Sequence, residues 1–246
     1  MLNKYFKIGI RKMRKLLFIS FLLLFSTTSY AQDYDKGMLA FEIGDYSSSL
    51  KELIPLAEKG HSDAQYFIGH MYQQGLGVQK NYSNSLKWFK LSAEQGNPAG
   101  QYKLGVAYIK GEGVIQDNTT GVRWIIKSSE AGYSFANSAL GMMYFTGLGF
   151  KLDYKKSFHY YMLGAKGGDA GSQNMVGTLY EAGWGIIQDF PLAHMWYDIA
   201  SANGSDIARK ARDNIRSFIT SEEISNAKAM AKKCLVSKYK ICGYEN

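Results

Sequence analysis

The sequence predicts an all-α protein, a solenoid of stacked helix–turn–helix repeats behind a cleavable leader. Three observations carry this. Residue types recur at a fixed spacing of 36: Gly69, Gly105, Gly141 and Gly177 form one such column, and Tyr72, Tyr108, Tyr144 and Tyr180 another. A repeat of this length marks a supersecondary unit that cannot bury its apolar face alone and stacks on its neighbours. Within each unit, apolar residues fall at i, i+3, i+4 and i+7, the period of an amphipathic helix. Finally, the chain of 246 residues holds 26 Gly but only 3 Pro and is not of low complexity, which suits many short helices with glycine ends.

The first element is the leader. Lys4, Lys7, Arg11, Lys12, Arg14 and Lys15 precede an apolar run from Leu16 to Phe25, broken only by Ser20, and Ser29-Tyr30-Ala31 follows. This order of basic, apolar and small residues is that of a secretory signal peptide over 1–31, cut after Ala31 to leave Gln32 first. The apolar run is about half the ~20 residues that a membrane span requires. No stable membrane insertion is therefore expected after cleavage, and the protein is expected in the periplasm or outside the cell. The leader holds six of the 29 Lys and Arg and no acid, so its removal lowers the net charge from +8 to +2. The basic balance of the whole chain is then no argument for nucleic acid as a partner.

Residues 33–61 read as a shorter, degenerate helix pair joined at Gly44-Asp45-Tyr46. The four full repeats follow at 62–97, 98–133, 134–169 and 170–205. In the first, Ala64, Phe67, Ile68, Met71 and Tyr72 share one helix face. Gly75-Leu76-Gly77 ends that helix, since glycine adopts a left-handed C′ conformation at little cost. Val78 returns to the core. Asn81, replaced by Asp117, Asp153 and Asp189 in the later repeats, stands where a second helix begins and its side chain can cap free N–H groups. Ser85, Trp88, Phe89 and Ser92 mark the buried face of that helix. Trp88, Trp124, Tyr160 and Trp196 form a column of large rings expected to fill the space between units. Gly69 and its equivalents lie inside helices, where Gly costs ~1 kcal/mol against Ala, so close helix–helix approach is expected there.

The motif Ala64-x3-Ile68-Gly69-x2-Tyr72-x2-Gly75-x-Gly77-Val78-x2-Asn81-x3-Ser85-x2-Trp88 resembles the Sel-one-like repeat, a relative of the tetratricopeptide repeat. The pattern departs from the family where its second-helix Ala is Ser85, Gly121 and Ser157, and where Tyr160 replaces Trp. The resemblance implies a right-handed superhelix and a role in holding proteins in signalling, envelope assembly or host contact.

After Gly204, residues 206–246 read as a helical cap. Asp206 to Phe218 is one helix, and Thr220-Ser221-Glu222-Glu223 is a capping box for another, from Ser221 to about Leu235. Cys234 and Cys242 stand close together, and in an oxidising compartment they read as a disulfide that pins the tail.

No catalytic constellation emerges, and no cofactor or metal is expected. The four histidines, His61, His70, His159 and His194, have no metal-ligand spacing. The Gly-x-Gly loops follow helices, whereas a phosphate loop follows a strand. Ser48-x-x-Lys51 and Ser225-x-x-Lys228 match the serine–lysine motif of β-lactam-acting enzymes, without its partner motifs. Because the resemblance includes exported members linked to such chemistry, a β-lactam- or peptidoglycan-acting enzyme is the alternative reading.

The main expectation is a non-enzymatic adaptor that binds a protein or peptide on a concave face. At 100° per residue, the face of each first helix opposite the buried one carries Tyr66, His70 and Gln73, then Tyr102, Val106 and Ile109, then Ser138, Met142 and Phe145, then Asn174, Thr178 and Glu181. An exposed apolar patch with a polar rim is an interaction site. The sequence does not specify an oligomeric state.

Overall fold

The computed structural model describes residues 33–243. The leader over 1–31 and its cut after Ala31 lie outside the described residues. Among the described residues every regular element is helical and no strand occurs. None of these helices is long and apolar enough to cross a membrane. The chain divides into two compact units, one ending at Gln95 and the other beginning at Gly96.

The first unit holds α1 (33–42), α2 (Tyr46–Glu58), α3 (Ser62–Gln74) and α4 (Tyr82–Glu94). Asp45 caps α2 by accepting the Ser48 N–H at 3.1 Å. Leu50, Leu53, Leu56 and Ala57 of α2 meet Ala64, Ile68 and Met71 of α3, with Met38 and Phe41 of α1 and Trp88 of α4 packed at the flanks.

The second unit holds α5 (Pro98–Lys110), α6 (Asn118–Glu130), α7 (Ser134–Thr146), α8 (Tyr154–Lys166), α9 (Ala170–Ala182) and α10 (Phe190–Ala202). These form three hairpins, and each successive helix packs on the one before. α11 (Asp206–Ile215), a 3₁₀ turn (Arg216–Phe218) and α12 (Ser221–Val236) complete the unit. The stretch expected as one helix to Phe218 thus tightens into a 3₁₀ turn after Ile215. The Thr220 capping box is formed: Glu223 donates its backbone N–H to Thr220 Oγ1 at 3.2 Å, and the Thr220 N–H reaches Glu223 Oε2 at 2.7 Å.

The repeat loop is built the same way four times. The first helix stops at Gly75, Gly111, Gly147 or Gly183, each left-handed with φ of 78°, 70°, 77° and 70°. The second helix starts at Asn81, Asp117, Asp153 or Asp189, whose side chain accepts the N–H three residues on. The backbone N–H of that same residue donates to the carbonyl of Tyr72, Tyr108, Tyr144 or Tyr180 at 2.9–3.0 Å. One polar residue thereby caps the second helix and ties it to the end of the first, which is why two columns of sequence repeat together.

The glycine column inside the first helices does bring helices close. A Cβ on Gly177 would stand 2.7 Å from two ring carbons of Tyr197, and one on Gly141 2.7 Å from the Tyr161 ring. The residues that fill this contact are Phe89, Ile125, Tyr161 and Tyr197, all buried, each one position after the Trp88 column. Of the Trp88 column itself only Trp196 is fully buried, among Leu179, Met195 and Ala227; Trp88, Trp124 and Tyr160 are half-buried.

Candidate functional site

The face predicted to be open lies on the first helix of each repeat. In the first unit Tyr66 stacks on His70, with ring centroids 6.4 Å apart and nearly parallel, and also meets Phe67 and Phe89. His70 lies 6.2 Å from Phe41 of α1. Gln73 is buried, at 8 % exposure.

In the second unit the predicted residues separate into two groups. Ile109 and Glu181, near the C-terminal end of the first helix, turn toward the second helix of their own hairpin. A Cβ on Gly121 of α6 would stand 2.6 Å from Ile109 Cγ1. Glu181 accepts the Tyr197 hydroxyl at 2.6 Å, with Thr178 Oγ1 3.2 Å from the same hydroxyl. Burial and the Glu181 bond push the Tyr197 hydroxyl pKa well above its usual value. Gln73, Ile109 and Glu181 are therefore not free members of an open face. A repeat helix has neighbours on two sides, its hairpin partner and the adjoining hairpin, so its open arc is narrower than half a turn and does not reach these three residues.

The other group keeps some exposure, with Phe145 partly buried against the core of α8–α10. Val106 and Asn174 are partly exposed, and Tyr102 rests 5.6 Å from Tyr133, which leads on to Phe135. Met142 is 51 % exposed. Phe145 meets Tyr154 at 5.5 Å and Trp184 at 5.6 Å, and the last two stack at 5.4 Å. Trp184, between the two glycines of the fourth repeat loop, is 42 % exposed. Gly185 seats this loop: a Cβ there would stand 2.5 Å from the Tyr154 carbonyl carbon. The loop thereby carries an indole onto the start of α8 and extends the apolar area beyond the helix face. Trp184 escaped the sequence reading because it lies in a loop; only its break from Leu76, Glu112 and Leu148 in the same column signalled it.

A second column escaped notice altogether. Gln65, Gln101, Asn137 and Gln173, again 36 apart, are all buried polar residues. Gln65 Nε2 donates to the Ala57 carbonyl of α2 at 2.9 Å, and its Oε1 accepts from Gln95 at 2.6 Å. Gln173 repeats this with Ala165 of α8 at 3.1 Å and Asn203 at 2.7 Å. Each of these two amides joins the ends of three helices. A buried amide needs such partners, and its recurrence at a fixed spacing is the signal that would have found it.

The remaining singled-out groups have structural places. His61 caps α3 through Nδ1, accepting the Ala64 N–H at 3.2 Å, and stacks on Tyr34. His159 is exposed and His194 buried. Among the described residues no group of three or more His, Cys, Asp or Glu is placed to hold a metal ion. Ser48 and Lys51 lie exposed on α2, and Ser225 and Lys228 exposed on α12, so neither serine has the sheltered surroundings that activate a nucleophile. The Cys234 and Cys242 sulfurs are bonded to each other.

The profile of the Sel1 repeat matches residues 62–97, 98–133, 134–169 and 170–205. A Sel1 repeat protein from Oxalobacter formigenes is similar in structure, with a TM-score of 0.70 at 25% identity over 81% of this chain and 84% of that one. A protective antigen of uropathogenic Escherichia coli with an SLR fold gives 0.68 at 28% identity over 87% of this chain; the chain spans 47% of the antigen's length. An immunity protein from Pseudomonas aeruginosa, 20% identical with a TM-score of 0.51 over 78% of this chain and 72% of that one, shares the fold. No curated protein matches the chain.

Proposed function

This chain belongs to the Sel1 repeat family, whose members are in general protein-binding scaffolds, and from that premise we propose that it is an exported, non-catalytic adaptor. It holds a protein or peptide segment against the accessible part of its repeat helices. The observation that carries this reading is the apolar group in the third and fourth repeats, where Met142 and Trp184 stand half-exposed around Phe145 and Tyr154. Exposed aromatic side chains have few rotors to fix on binding, a Met side chain adapts its shape to a partner, and both exclude water.

Export follows from the leader expected over 1–31, and the Cys234–Cys242 bond supports an oxidising compartment. The similarity to a protective antigen is in keeping with a place outside the cytoplasm.

The test places a photo-crosslinking amino acid at Met142 in the native cell, with exposed Lys210 of α11 as the comparison position. A protein captured at Met142, and lost when Trp184 is changed to Glu in purified chain that keeps its helical circular dichroism, supports the adaptor. Equal capture at both positions overturns it. Mass spectrometry of the protein recovered from the cell tests the cut, with Gln32 expected first.

A further inference from the structure

α11 and α12 both pack on α10. An open cleft of about 490 Å³ runs here, floored by Asp198 and Ala202 of α10, with Arg212 on one side and Lys228, Lys232 and Val236 on the other. Asp198 is engaged by Arg212 at 2.7 Å, and the other edge of the same guanidinium holds Asp213 at 3.0 Å. One guanidinium between two carboxylates leaves a single negative charge on this side, and Asp213 does not line the cleft. Lys228 and Lys232 are one turn apart on α12, both exposed, and neither makes an ion pair among the described residues. Beside them lie Leu235 and Val236, the latter 77 % exposed. The surrounding segment has the same sign. Residues 206–246 carry nine Lys and Arg against five Asp and Glu, while residues 32–205 carry fourteen against sixteen.

We propose that this cleft binds a peptide segment of a partner in which acidic and apolar side chains alternate. Carboxylates meet Lys228 and Lys232, and an apolar side chain lies on Leu235 and Val236. Within the lining Asp198 is paired with Arg212, so the unpaired charges of the cleft are both positive and concentrate the opposite sign, and the neighbouring apolar wall gives the area that charge alone lacks. The cations line a concavity between helices, which admits a chain more readily than the flat surface of a bilayer. This surface is independent of the repeat-helix face around Met142.

The experiment uses the mature chain and fluorescein-labelled peptides of six residues, one alternating Glu and Leu, one alternating Lys and Leu, and one alternating Glu and Gly, read by fluorescence anisotropy. The Glu–Leu peptide is expected to bind, with an affinity that falls as salt rises. Lys228→Glu with Lys232→Glu is expected to weaken binding about tenfold or more, Val236→Asp to weaken it also, and exposed Lys210→Glu to leave it unchanged. The milder Lys228→Gln with Lys232→Gln, with thermal unfolding of each variant, separates lost binding from lost fold. Met142→Glu leaves the peptide bound whatever it does to the adaptor face. Absence of binding, equal binding of all three peptides, indifference to the lysine changes, or binding only to phosphatidylglycerol vesicles overturns the proposal.

Discussion

Asn203, just past the end of α10, donates one amide hydrogen bond to Gln173 Oε1 at 2.7 Å and a second to the Tyr239 hydroxyl at 2.8 Å. Gln173 in turn donates to the Ala165 carbonyl. A single chain of amides thus runs from α8, through α9 and α10, to the C-terminal tail, and its middle member is fully buried.

Changing Gln173 to Met keeps the bulk and removes both bonds. The Ala165 carbonyl then loses this partner but keeps the Gly168 N–H at 3.1 Å, so the cost is about 0.5–1.5 kcal/mol. Chemical denaturation is expected to show this loss, and one at least as large for Asn203→Ala, which leaves the oxygen of the fully buried Gln173 without this donor. Unchanged stability in Gln173→Met would remove the amide column from the account of repeat stacking.

Two glycines of α9 are expected to respond oppositely to Ala. At Gly177 the new methyl group meets the Tyr197 ring, itself held by Glu181, so the substitution overpacks the hairpin and costs about 1–3 kcal/mol. At exposed Gly171 a Cβ meets only the Asp169 carboxylate, its oxygens 3.4 and 3.9 Å away, and stability is expected to rise by up to about 1 kcal/mol. Thermal unfolding of the two variants distinguishes packing from helix propensity; a stabilised Gly177→Ala would sink the close-contact argument.

Removing the disulfide with Cys234→Ser and Cys242→Ser is expected to cost roughly 2–3 kcal/mol, from the entropy of a short closed loop in the unfolded chain. The bond also holds Lys238 and Tyr239, both left-handed at φ of 51° and 64°, and with them the contact of Tyr239 to Asn203. The loss should therefore be partly shared with Asn203→Ala, and a double-mutant cycle with additive costs would argue against that link.

His194 predicts a pH dependence. It is buried on α10, and its neighbours are Asp198 on the same helix, Arg212 of α11, Arg216 of the 3₁₀ turn and Lys228 of α12. Burial first, and then the cations, hold its pKa below 6.5, with Asp198 opposing. The folded chain therefore keeps it neutral where the unfolded chain protonates it. This part of the stability is complete above pH 6.5, falls as pH drops through that value, and levels off below the folded pKa. Melting temperatures between pH 7.5 and 5 should fall more for the native chain than for His194→Gln. Parallel curves would exclude the role of His194.

The repeat itself was legible without coordinates, because its signals are local. Gly75 at a left-handed helix end, Asp153 as a cap and Gly69 inside a helix each answer a backbone requirement that a single residue type meets, so the type recurs. The apolar stripes of the two helices follow from the same periodicity. The binding face was less legible. Ile109 and Met142 look alike in an angular projection, yet one is wedged on Gly121 and the other is half-exposed. Which arc of a helix stays open depends on neighbours distant along the chain.

By itself, then, the sequence determined the all-helical class, the four repeats and their boundaries, the caps at Asn81 and Thr220, and the glycines at which helices touch. Each of these is dictated within about one or two turns of chain. Only the tertiary structure decided that Gln173 would stitch three helices, that Phe89, Ile125, Tyr161 and Tyr197 and not the Trp88 column would face the glycines, and that the Trp184 loop would join the apolar face. It also decided that α11 and α12 would line a basic cleft. The reason is physical: burial and pairing of a side chain are properties of the several surfaces that converge on it, and a linear pattern records only the one surface to which it belongs.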